Sequence, residues 1–173
     1  MISSYSSTVK SLAYARERAT SALEVIENDK AILASMPTTP EQDILLFVDK
    51  EVEDIRRLLL STTSIYCTVK RNCHKAEVLS EMSKYNIVHF ACRGYPVDNP
   101  SESSLFLEDR KTAPLTVSDI TSLNLNSANF AYLSACHTSA TRDFRLLDES
   151  INLSSVIQLS GYPSVVGCLW LSG

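Results

Sequence analysis

The residues best equipped for chemistry cluster where two apolar runs end. Ala128–Thr138 reads A-N-F-A-Y-L-S-A-C-H-T. Phe130, Ala131, Tyr132 and Leu133 form a run without Gly or Pro, which suits a strand buried on both faces of a parallel sheet. Two small residues, Ser134 and Ala135, then lead to Cys136. Ligands and chemistry in open parallel sheets sit just beyond the carboxyl ends of the strands. A thiol delivered there is a candidate nucleophile; the competing reading is a small buried hydrophobe. A second run, Asn86–Gly94, reads N-I-V-H-F-A-C-R-G. It carries His89 along a buried-type strand and ends on Arg93 and Gly94. Thiol catalysis needs a base to hold the thiolate and an acid to protonate the leaving amine.

The ends of the two runs lie about 43 residues apart, near the spacing of roughly 50 between His and Cys in caspase-type proteases. With these words in place, the sequence resembles the CHAT family, caspase-like domains often attached to TPR arrays, and in particular its fungal branch. The resemblance runs almost end to end: Y-A-R-E-R-A (14–19), M-P-T-T-P (36–40), F-V-D-K-E-V-E-D-I-R-R-L (47–58), I-V-H-F-A-C-R-G (87–94), L-T-V-S-D-I (115–120), Y-L-S-A-C-H-T (132–138), L-D-E-S-I (147–151) and Q-L-S-G-Y-P-S-V-V-G-C-L-W (158–170). It implies Cys136 as nucleophile and a histidine just before the Gly of an H-F-A-C-H-G word. Arg93 holds that position here. Arginine keeps its proton at any useful pH, so it serves as neither base nor exchanging acid. A nearby cation can still favour a thiolate.

Two other histidines compete for the base. His89 lies four residues before Arg93, roughly 13 Å back along the strand and on the same face. The alternative for it is a core histidine bonded to backbone. His137 directly follows Cys136, and side chains of neighbouring residues point apart. His74 belongs to the start of a helix and faces solvent. F-A-C-R-G also resembles the caspase word Q-A-C-R-G, which would make Cys92 the nucleophile. That assignment needs a histidine near position 42, and none precedes His74. The resemblance further suggests acidic groups for a basic P1 side chain, with Asp143, Asp148 and Glu149 as candidates. Asp148 and Glu149 equally suit a helix N-terminus. The family's I-H-L in that helix is Ile151-Asn152-Leu153 here.

The elements that must position these residues alternate between strand and helix. Residues 8–28 form an amphipathic helix with Leu12, Ala15, Ala19, Ala22, Leu23 and Ile26 in one stripe. A strand over Ala31–Ser35 is stopped by Pro37 and Pro40. A helix over 49–60, capped by Asp49, buries Val48, Val52, Ile55 and Leu59 and turns its charges to solvent. Strands at Ser64–Val69 and 86–91 flank a helix at Lys75–Lys84. Tyr95–Ser103 is a loop, Leu105–Leu107 a strand, and Asp109–Lys111 a turn. Thr116 and Asp119 make a capping box for a short helix. After the Cys136 strand come a loop at 137–146, a helix near 148–159 closed by Gly161, and a strand at Ser164–Leu169. The rhythm predicts an α/β fold, a mostly parallel sheet flanked by helices. The resemblance implies more strand and helix past Trp170, so 173 residues are expected to hold a single CHAT domain incomplete at its C-terminal side.

Sixteen basic and 20 acidic residues leave a net charge of −4, which gives no electrostatic case for nucleic acid or an anionic membrane. No apolar run is long enough to span a bilayer, and the polar stretch Met1–Lys10 is no secretory signal. Five cysteines without a C-x-x-C do not make a disulfide framework. Cys67, Cys73, Cys92 and Cys168 read as reduced core thiols of a cytoplasmic protein. Cys73 and His74 lack partners at zinc spacing, so neither metal nor cofactor is expected. Three functions fit: a protease-derived module of impaired catalysis that binds or regulates a protein or peptide, a working cysteine endopeptidase using His89 or His137, and a fragment with no independent role. An exposed sheet edge would offer a route to self-association.

Overall fold

The computed structural model describes residues 29–95, 97, 99, 101–123, 125–134 and 157–167. In chain order they form β1 (Lys30–Ser35), α1 (Val48–Thr62), β2 (Tyr66–Arg71), α2 (Lys75–Met82), β3 (Ile87–Ala91) and β4 (Arg93–Tyr95). There follow β5 (Ser104–Phe106), β6 (Leu115–Thr116), α3 (Val117–Ser122), β7 (Phe130–Leu133) and β8 (Ser164–Gly167). Five of the strands make a parallel sheet in the order β2-β1-β3-β7-β8. The expected α/β architecture is the one observed. Among the described residues no helix is long and apolar enough to cross a membrane.

Period-two alternation divides the sheet's side chains between two faces. Ile32, Ala34, Val88, Phe90, Ala131 and Leu133 enter the larger core, where they meet Val78 and Met82 of α2, Ile120 of α3, and Ile157 and Tyr162. Leu33 and Ala91 point to the other face, under Val48 and Val52 of α1. Both faces of β1 are therefore buried, which explains the unbroken A-I-L-A-S run. The register aligns Leu33, His89, Tyr132 and Val166 as one row across the sheet on the α1 side.

β3 ends at Ala91, whose carbonyl accepts a hydrogen bond from Met36 N at 2.9 Å. The chain then bends at the buried Cys92. Arg93–Tyr95 joins a separate antiparallel sheet, β4-β5-β6, pairing Arg93 with Phe106 and Tyr95 with Ser104. This corrects the expectation that His89 and Arg93 share one face of a continuous strand, and that a loop begins at Tyr95.

Other boundaries moved less. The strand expected at Ser64–Val69 runs two residues later, at Tyr66–Arg71. Asp49 does not cap α1: Phe47 holds that place without a side-chain cap, and Asp49 sits in the first turn facing Arg71. The capping box of α3 is present, with Thr116 Oγ1 accepting from Asp119 N at 3.2 Å and Asp119 Oδ2 accepting from Thr116 N at 2.8 Å. Residues 157–159 are helical, and Gly161 follows with φ of 128°, which a Cβ would obstruct. The helix expected at 8–28, the loop at 137–146 and most of the helix at 148–159 lie outside the described residues.

The box generates a stability prediction. Thr116→Ala removes one acceptor for an orphan helix N–H and should lower unfolding free energy by about 1 kcal/mol. Ser122→Ala, in the last turn of α3, should change it by less than about 0.5 kcal/mol. Urea denaturation of the two variants checks the difference.

Candidate active site

The sheet order places a crevice at the carboxyl ends of β1 and β3. The chain leaves β1 toward α1, which covers one face, while β3 leads through the small sheet to α3 on the other face. Adjacent strands whose connections part in this way open a crevice between them, where ligands bind in such sheets. Arg93 stands in it. It is 6% exposed, and its Nη2 donates to the carbonyl oxygen of Asp43, in the loop after β1, at 2.7 Å. Its Nε is buried without a hydrogen-bond partner among the described residues. The loop after β1 is tied to the small sheet again by Arg110 Nε, which donates to Pro40 O at 3.0 Å, and by the Lys111–Glu41 ion pair.

His89 lies two residues before the end of β3 on the α1 face and is 2% exposed. Its ring stacks on Tyr132 with centroids 4.7 Å apart and planes within 11°. Nε2 approaches Glu51 Oε1 at 3.2 Å, but off the line of a straight hydrogen bond, and Nδ1 has no partner among the described residues. The second oxygen of Glu51 accepts from Ser134 Oγ at 2.8 Å. One carboxylate from α1 thus ties the end of β3 to the end of β7.

Burial alone would push the Glu51 carboxyl up. The contact with His89, the Ser134 hydroxyl and the Tyr132 side chain outweigh it and hold the group below its ordinary value of 4.5. The thiols near the sheet behave oppositely. Desolvation pushes Cys73 up to about 11 and also raises Cys67. Both are therefore poor nucleophiles at neutral pH. Cys73 and Cys92 are buried and Cys67 half-buried, and none of the three is in a disulfide.

Of the residues named from the sequence, the structure places Arg93 in the crevice and His89 beneath α1. His74 is exposed at the N-terminus of α2. Cys136, His137, Asp143, Asp148, Glu149 and Cys168 lie outside the described residues. Sequence reasoning missed Glu51, Tyr132, Ser134, Asp43 and Arg110. Glu51 adjoins Val52 at the margin of α1's buried stripe, contrary to the expectation that the helix's charges all face solvent. Tyr132 and Ser134 alternate with Ala131 and Leu133, which was a usable signal for their shared face. Among the described residues no three of His, Cys, Asp and Glu gather where they could hold a metal ion.

The Glu51 environment fixes a pH dependence. A carboxyl held low in the folded state adds stability above its unfolded value, and this is lost as pH falls through the folded one. The stability advantage of wild type over Glu51→Gln should therefore be constant above about pH 5.5 and shrink below about pH 4.5. Denaturant midpoints measured across that range check the sign.

A sequence model of the family described as CHAT domain matches residues 2–171. No curated protein matches the chain.

Proposed function

The chain belongs to the CHAT domain family, caspase-like cysteine peptidases, and from that membership we propose that it is a homologue whose catalysis is impaired. Cys136 takes the nucleophile's place, Arg93 stands where the family's word has its histidine, and the protein acts by binding a protein or peptide. The observation that carries this reading is the guanidinium of Arg93 in the crevice at the end of β3. A permanent cation there can favour a thiolate but cannot shuttle a proton. That Cys67, Cys73 and Cys92 are in no disulfide supports a reducing, cytoplasmic setting.

One observation favours a second reading, an active endopeptidase with His89 as base. β3 ends at Ala91, so His89 is only two residues from the strand's end, and a carboxylate contacts its Nε2. Against this, the ring is stacked on Tyr132 and enclosed under α1.

Cleavage of a degenerate peptide library separates the two. Arg93→His should raise cleavage by about 10² or more, the lower range for general acid–base catalysis, and Cys136→Ala in that background should abolish the gain. Wild-type cleavage that depends on Cys136 and disappears in His89→Gln would install the second reading instead. A folded Arg93→His protein without activity would mean that more than this position has been lost.

A further inference from the structure

Beside the crevice, the small sheet and the loop after β1 enclose a cleft of about 470 Å³. Arg93, Arg110, Tyr95, Phe106, Gln42 and Glu102 line it. Tyr95 and Phe106 stack with centroids 5.4 Å apart, and the Arg110 guanidinium lies 4.6 Å above the Phe106 ring. The Arg110 side chain is 15% exposed, and its Nη2 stands 3.9 Å from Glu41, whose carboxylate is also engaged by Lys111. Arg93 differs from Arg110 in kind. Among the described residues its hydrogen bond runs to a neutral carbonyl, its buried Nε–H has no partner, and no carboxylate pairs with it.

We propose that this cleft recognises the carboxylate of an Asp or Glu side chain in a bound peptide, received by Arg93 and Arg110 against the Tyr95–Phe106 stack. The inference deepens the binding reading above by naming the residue class bound, and it rests on that reading. A buried guanidinium that meets no carboxylate among the described residues bears a desolvation cost, which a carboxylate offsets with charge-assisted hydrogen bonds. Arginine's planar set of donors suits that partner. The stacked rings offer an apolar wall for the methylenes of the side chain. Glu102 in the lining and Glu41 beside Arg110, with the chain's net charge of −4, disfavour a polyanion such as nucleic acid. A single carboxylate on a peptide meets less repulsion. The sign is opposite to the acidic pocket for a basic P1 residue that Asp143, Asp148 and Glu149 would make.

Fluorescence anisotropy with the full chain tests this. The probes are fluorescein-labelled heptapeptide mixtures with degenerate flanks, identical except for Asp, Glu, Asn, Gln or Lys at the centre. Asp and Glu mixtures should bind about ten-fold or more tightly than Asn and Gln mixtures. Arg93→Gln and Arg110→Gln should each erode that preference, and Arg57→Gln, on the exposed side of α1, should not. Arg110→Gln keeps the test decisive if Arg93→Gln fails to fold. Equal binding of acidic and amide mixtures by wild type would overturn the proposal and leave the binding reading standing. Absence of binding by every mixture would overturn both. Displacement of the Asp mixture as readily by inorganic phosphate as by glutarate would overturn the carboxylate assignment in favour of a general anion site.

Discussion

A guanidinium carried into a protein interior must find partners there, because it cannot shed its charge. Arg93 imposes that requirement at the carboxyl end of a parallel sheet. The bend at Cys92 takes Arg93 out of the main sheet and into the small one, and the loop after β1 supplies the carbonyl of Asp43. The hairpin between β5 and β6 returns Arg110 and Lys111 to that loop. Three segments distant in sequence thus converge on one cation and its surroundings. Among the described residues the Nε–H stays unmatched. A histidine at this position would titrate and exchange a proton; an arginine can only attract.

A second buried polar group is built on a different plan. His89, Glu51, Tyr132 and Ser134 form a connected set on the α1 face. Here the charge is a carboxylate, which accepts a hydrogen bond from Ser134 after β7 and contacts His89 of β3. The contact joins the end of β3 to the end of β7, the strand that leads to Cys136. Replacing these groups with apolar ones of equal shape would remove a desolvation cost, so their value lies in fixing how the strand ends meet. The two polar groups divide the sheet's carboxyl end between them. One anchors the strands, and the other faces the cleft.

Much of this was legible in the chain and some was not. A run such as A-I-L-A-S announces two-faced burial, because a parallel strand covered on both sides has no polar alternation; F-A-Y-L reads the same way, yet Phe130 and Tyr132 of β7 are only partly buried. The Thr116–Asp119 box is a local interaction between residues three apart, so spacing alone reveals it. Local signals failed where tertiary pairing decides. Arg93–Tyr95 is too short a strand to carry a pattern, and only its pairing with Ser104–Phe106 defines it. Asp49 looked like a cap because it precedes an apolar stripe, yet α1 starts one residue earlier, at Val48. Glu51 and Ser134 are 83 positions apart, and no periodicity within either segment can join them.

In the proposed reading a fixed cation, Arg93, and not a titrating imidazole acts on Cys136. The most direct measurement is the pH profile of Cys136 alkylation by iodoacetamide, followed by mass spectrometry of its peptide. The account predicts a single ionisation, displaced below the ordinary thiol value of about 8.5, that moves back upward in Arg93→Gln and stays in place in His89→Gln. A second inflection near the imidazole range, about 6.5, that vanishes in His89→Gln or His137→Gln would contradict it.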